Sequence, residues 1–248
     1  MKINTKFSSP NYSIRKEKIY FIIIHYTEMI LEEALAKLCD PFANVSSHYL
    51  IKADGEILQL VNDKNVAWHA GESYWYDFDK LNNYSIGIEL DNMGYNPYPL
   101  EQMTSCVNLC KELTLIHNIP QENIIGHSDI APHRKIDPGP FFDWSYLAAH
   151  NLGKWHNINN TQLNQPIIFK FNDNNPEILY LQNKLRKIGY KIEETGVFDE
   201  QTNYVIRAFQ ARFYPEKIKE LGRDFYFDKS SRYSWDITSE QILLSFFR

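Results

Sequence analysis

The stretch from Gly126 to Gly139 gathers His127, Asp129, His133, Arg134, Lys135 and Asp137. Histidine and aspartate bind divalent cations and move protons, while lysine and arginine hold negative charge. A catalytic zinc site takes three protein ligands and leaves one position for water. His25, His48, His69, His127, His133 and Asp137 are the candidate ligands, and spacing alone does not select three of them. A lone histidine is more often a surface or satisfied core residue than a ligand. His117, His150 and His156 are set aside because they fall at a helix end or at the edge of the domain. Glu89 closes an apolar strand, where a carboxylate is either solvent-exposed or an acid–base group. Lys135 is either an ordinary surface lysine or the holder of charge on a tetrahedral intermediate.

These groups need a scaffold. Ile19 to Ile24 is a continuous β-branched and aromatic run, which suits a strand buried on both faces. It delivers His25 to the strand's C-terminal end, a usual place for site residues in α/β sheets. Leu31, Ala34, Leu35 and Leu38 have helical spacing between residues 28 and 38. Residues 48–52 and 57–61 flank Asp54-Gly55, a strong hairpin signal. Residues 66–79 are aromatic-rich without a regular period and read as a loop. Ser85 to Leu90 is a second buried strand, with Gly87 allowing close approach to its backbone. Leu100, Met103, Val107, Cys110 and Leu113 predict a helix covering the sheet. Pro132, Pro138 and Pro140 exclude a regular helix interior or a central strand from the loop after Ile125. His127 and Asp137, ten positions apart, meet only if that loop folds back on itself.

Alternating strands and helices predict an α/β domain over residues 1–155, with residues 1–18 as an extended lead-in. Residues 156–176 are rich in Asn, Gln and Pro and read as a linker. Residues 177–248 carry three helical stripes: Ile178, Leu181, Leu185 and Ile188; Val205, Ile206, Phe209 and Phe213; Ile242, Leu243 and Phe246. Gly189 caps the first helix, and a Thr238…Gln241 capping box opens the third. The result is a small three-helix domain.

The chain has 248 residues, of which 44% are hydrophobic, and a net charge of −5. That supports a real core and argues against a general nucleic-acid binder. Cys39, Cys106 and Cys110 are an odd set with no disulfide framework, and the last two are spaced to pack on one helix face. No apolar run approaches the roughly 20 residues of a membrane span, and none follows Met1 as in a leader peptide.

Five ordered motifs carry a resemblance. They are Ile24-His25-Tyr26-Thr27, Ser46 to Ile51, Ala67-Trp68-His69-Ala70-Gly71, Ser85-Ile86-Gly87-Ile88-Glu89, and Gly126 to Pro132 continued by Arg134 to Gly139. Together they resemble the zinc N-acetylmuramoyl-L-alanine amidases of the type 2 amidase family. Leu181-Gln182, Gly189-Tyr190, Thr195-Gly196, Ala208-Phe209-Gln210 and Arg212-Phe213 resemble the peptidoglycan-binding-like domain of the longer, AmiD-type bacterial members. The resemblance implies a central mixed β-sheet flanked by helices, followed by the three-helix domain. It implies one zinc ion per chain on His25, His127 and Asp137, with Glu89 as acid–base residue and Lys135 stabilising charge. It places Trp68, His69 and His48 at the substrate and makes His133 a non-ligand. The implied reaction cuts the amide between the lactyl group of N-acetylmuramic acid and L-alanine, on peptidoglycan or muramyl peptides including 1,6-anhydro forms. The alternative is a peptidoglycan recognition protein that binds without cutting; such relatives lose a zinc ligand, and here all three stand. The resemblance favours the cell envelope, with the cytoplasm as the alternative.

Overall fold

The computed structural model describes residues 2–158 and 162–247. A six-stranded mixed sheet forms its centre. The strands are β1 (Ile3–Asn4), β3 (Phe21–Tyr26), β4 (Tyr49–Ile51), β5 (Ile57–Gln59), β9 (Ser85–Leu90) and β10 (Ile124–Gly126), in the order β1-β5-β4-β9-β3-β10. The β4–β5 pair is the antiparallel hairpin expected around Asp54-Gly55. The pairs β4–β9, β9–β3 and β3–β10 are parallel.

Residues on either side of the central strands go to different cores, as the two-residue period of a strand requires. Ile22 and Ile24 of β3 pack with Ile86, Ile88 and Leu90 of β9 beneath α2 (Leu100–His117). Cys106 and Cys110 lie in that interface, fully buried and unpaired. Phe21 and Ile23 point the other way and join one continuous apolar cluster with Phe209, Phe213 and Tyr214 of the C-terminal region. Helix α1 (Leu31–Cys39) closes a smaller core over Leu50 and Leu58.

Parts of the sequence reading change here. The lead-in contributes β1, which extends the sheet beside β5, and β2 (Tyr12–Ile14), which pairs with β6 (Asn65–Ala67). The stretch read as a loop therefore starts in a strand, and it also folds a short hairpin, β7 (Tyr74–Trp75) with β8 (Phe78–Asp79). The active loop opens with one helical turn, α3 (His127–Ile130), before its first proline; α4 (Trp144–Ala149) follows it.

In the C-terminal region the three expected helices are α5 (Pro176–Ile188), α6 (Glu200–Phe213) and α9 (Ile237–Ser245). Two short helices, α7 (Pro215–Leu221) and α8 (Arg223–Phe227), lie between the second and third. The segment read as linker contains β11 (Ile167–Lys170), paired antiparallel with β12 (Ser234–Asp236). The cap of α9 is Asp236, whose side chain accepts the Ser239 N–H at 2.8 Å. Thr238 sits inside the helix and instead donates to the Gln162 carbonyl. The cap thus stands two residues upstream of the expected box and satisfies the Ser239 N–H, one of the orphan donors of the first turn.

Candidate metal centre and active-site cleft

Sheet register assembles the site. His25 and Glu89 are direct partners across β3 and β9, one residue from the C-terminal end of each strand. Gly126 pairs with Ile24 on the other side of β3, so His127 emerges next to His25. Neighbouring strands lie about 4.8 Å apart, so three parallel strand ends deliver a carboxylate and two imidazoles to one spot. Asp137 returns from the proline-rich loop, whose ends are tied by Ser128 N–H donating to Asp137 O at 2.8 Å.

His25 Nδ1, His127 Nδ1 and Asp137 Oδ2 lie 2.9, 3.1 and 3.0 Å from one another in the three pairings. All three residues are buried. Their protonation follows from what stands behind each ring. Ser85 Oγ donates to the Leu81 carbonyl at 2.6 Å, so it accepts from His69 Nε2–H at 3.2 Å. His69 Nδ1 then carries a lone pair, and His25 Nε2–H donates to it at 3.0 Å. His127 Nε2 faces the Ala70 carbonyl at 3.3 Å, which only accepts. Both rings therefore turn an unprotonated Nδ1 toward the Asp137 carboxylate. Three lone pairs at this separation repel unless a cation stands between them, and the donor set of two imidazoles and one carboxylate is that of a divalent-metal centre.

Electrostatics agree. Burial, and then His127 beside it, lowers the His25 pKa to about 4, which keeps the ring in the neutral, metal-binding form. Burial alone would raise the Asp137 carboxyl, but positive charge beside it, which His127 and His25 supply when protonated and a bound cation supplies when they are neutral, holds it well below the usual carboxylate range. Burial, and then the charge of Asp137, pushes Glu89 well above that range. Glu89 Oε2 is buried with no hydrogen-bond partner among the described residues. A carboxylate so placed costs stability and persists where it has another task.

Residues 15–140 match the model of the N-acetylmuramoyl-L-alanine amidase family, and residues 174–216 match a putative peptidoglycan binding domain. The chain is 36% identical over 214 residues to the N-acetylmuramoyl-L-alanine amidase AmiD of Escherichia coli, covering 80% of this chain and 76% of that protein. The chain belongs to the N-acetylmuramoyl-L-alanine amidase family. The 1,6-anhydro-N-acetylmuramyl-L-alanine amidase AmpD of Enterobacter cloacae is 47% identical over 107 residues, 42% of this chain and 56% of that protein. The structure of Escherichia coli AmiD in complex with anhydro-N-acetylmuramic acid-L-Ala-D-gamma-Glu-L-Lys superposes with a TM-score of 0.73 at 29% identity, over 92% of this chain and 88% of that one. AmpDh3 from Pseudomonas aeruginosa gives 0.72 at 28% identity, over 92% and 91%.

The cluster opens into a cleft of about 410 Å³. Glu89, Trp68, His69, Lys135 and the three clustered residues all line it. His133 also lines it but stays outside the cluster. Gly87 makes room for His69: a Cβ on Gly87 would stand 2.4 Å from the imidazole ring. His48 does not reach the cleft, contrary to the expectation that it binds substrate. It is fully buried, its Nδ1 accepts the Gly87 N–H at 3.0 Å, and its Nε2 lies 3.2 Å from the Asn65 carbonyl. His48 thus fixes the strand over which His69 sits. His48→Ala is expected to lower stability by about 1–3 kcal/mol, the cost of an orphaned buried donor, with KM unchanged; thermal melting beside steady-state kinetics checks this.

Sequence reasoning gave no role to Ser85, Asp129, Arg134 or Arg207. Ser85 ends the relay that sets the His25 tautomer. Arg134 donates to the carbonyls of Ala70 and Glu72, pinning the Trp68–Glu72 segment to the metal loop. Arg207 brings a charge from the C-terminal region to the cleft wall, together with Phe227 and Lys229. An arginine inside a helical stretch as apolar as Val205–Phe213 was a usable signal, because such a side chain needs a partner when buried.

Proposed function

We propose that this protein is a zinc-dependent hydrolase that cuts the amide between the lactyl group of N-acetylmuramic acid and L-alanine in muramyl peptides. The observation that carries the reading is the pairing of His25 with Glu89 in register, beside three unprotonated donors that face one point. His25, His127 and Asp137 suit zinc, which takes imidazole nitrogen and carboxylate oxygen readily. Bound there, zinc supplies Lewis-acid chemistry, activating water at neutral pH and polarising a carbonyl.

The chain's own residues supply the rest. Glu89 accepts a proton from the attacking water and returns one to the alanine nitrogen as the C–N bond breaks. Its raised pKa suits both halves of that task. Lys135, on the cleft wall, balances the negative charge that develops on the lactyl carbonyl oxygen. The indole of Trp68 and the ring of His69 offer surfaces for the sugar and the start of the stem peptide. A binding-only role would leave the unpartnered Glu89 carboxylate without a task. We assign the work to the cell envelope; the support is the peptidoglycan-binding match at residues 174–216. No helix among the described residues is long and apolar enough to cross a membrane.

The test is mass spectrometry of an anhydro-muramyl tripeptide incubated with the zinc-loaded protein. The expected products are the free sugar acid and a peptide beginning with L-alanine, together one water heavier than the substrate. Intact muramyl peptide after incubation with fully zinc-loaded protein would overturn the assignment.

A further inference from the structure

We propose that the C-terminal helical region is a brace for the metal loop, in which Arg212 and Tyr190 act through Asp129 to position His127. Strand β10 lies at the edge of the sheet, and the chain beyond it leaves regular structure after Ile130. Backbone groups in such a segment need partners from elsewhere. Here they come from α6 and α8.

The contacts converge on one side chain. Asp129 is 1% exposed. Its Oδ2 accepts the Gly126 N–H at 2.7 Å, closing the turn that carries His127. The same oxygen accepts from Arg212 Nη1 at 2.6 Å, and Oδ1 accepts from Tyr190 OH at 2.7 Å. Arg212 Nη2 also donates to the Ile124 carbonyl at 3.1 Å, so one guanidinium grips the strand before His127 and the turn after it. Its flat face lies 4.4 Å from the Trp144 ring centroid. Gly126 leaves no slack, since a Cβ there would stand 2.8 Å from Pro138 Cδ, next to the ligand Asp137. Further along, Arg207 Nη2 donates to the Pro132 carbonyl at 2.5 Å and Tyr226 OH to the Ile136 carbonyl at 2.7 Å. The loop that carries His127, Lys135 and Asp137 is thus held from behind by the other region.

Groups that orient a metal ligand from outside set affinity by about 10- to 100-fold. Arg212 and Tyr190 touch neither metal nor substrate; they are positioning residues. The inference rests on the metal reading of the cluster, and the two fail differently. The experiment measures zinc affinity of the full chain by competition with a chromophoric chelator, with a thermal melt of each variant. Arg212→Met is expected to weaken zinc by about 10- to 100-fold, and Arg212→Lys to recover part of that. Tyr190→Phe is expected to weaken it about fivefold, the worth of one hydrogen bond. Ile242→Ala, in the core of the same region on α9, lowers the melting temperature with unchanged affinity. Should Arg212→Met not fold, Tyr190→Phe decides. Folded variants that hold zinc as tightly as the parent chain would overturn the brace, whereas a parent chain that binds no zinc would overturn the metal reading itself.

Discussion

Glu89→Gln is expected to lower kcat by about 10³-fold, within the range of a lost general acid–base group, while zinc binding stays as in the parent protein. The amide is nearly isosteric, and Glu89 makes no hydrogen bond to His25, His127 or Asp137, so the cluster keeps its geometry. The variant also carries a stability signature. Burial raises the Glu89 pKa in the folded chain, so its charged form is the disfavoured one there. Folding is unburdened below the unfolded carboxylate pKa of about 4.3. It becomes burdened as pH rises from there to the folded value, and stays so above it. The metal-free Gln variant is therefore expected to melt higher than the metal-free parent at neutral pH. In the zinc-loaded protein the cation offsets the Asp137 charge while burial, the larger cause, still raises Glu89, so hydrolysis is expected to fall at acid pH as Glu89 takes up its proton. Differential scanning calorimetry and a pH–rate profile check the two halves.

His127→Ala is expected to remove near-stoichiometric zinc and to lower kcat/KM by at least about 10³-fold, because a metal's charge stabilisation is worth several kcal/mol. The neighbours explain why no substitute arises. His69 Nδ1 is engaged by His25, and His133, on the cleft wall, stands outside the cluster. Two ligands remain, one fewer than a catalytic zinc site uses. Metal analysis of dialysed protein, beside hydrolysis of the anhydro-muramyl tripeptide, reads both effects. Undiminished activity would remove His127 from the site.

Much of this was legible in the chain. The apolar runs ending in His25 and Glu89 announced strands, and Asp54-Gly55 announced its hairpin. Local pattern carries such elements. The register that sets His25 opposite Glu89 was not legible, because pairing is a long-range choice between strands 59 residues or more apart in sequence. The pairing of β2 with β6 escaped for the same reason, whereas β7 and β8 form a local hairpin whose two-residue strands are too short to show an alternating pattern. His48 shows the limit of reading motifs: it stands in a motif two residues from the Ser46 of the cleft wall, yet its ring turns inward to the Gly87 backbone. Asp129 stood in the opening loop in plain view. Its task became visible only with Arg212 and Tyr190, 83 and 61 residues away.

The central claim is that one zinc on His25, His127 and Asp137 works with Glu89 as a separate base. The most direct measurement is a zinc titration of the metal-free chain, followed by heat of binding and by amide cleavage in the same samples. Cleavage should rise with the first equivalent of zinc and then level off. Glu89→Gln should bind that equivalent with the parent's affinity and cleave about 10³-fold more slowly. Cleavage by chelator-treated protein, or a Glu89→Gln chain that loses zinc and activity together, would contradict the account.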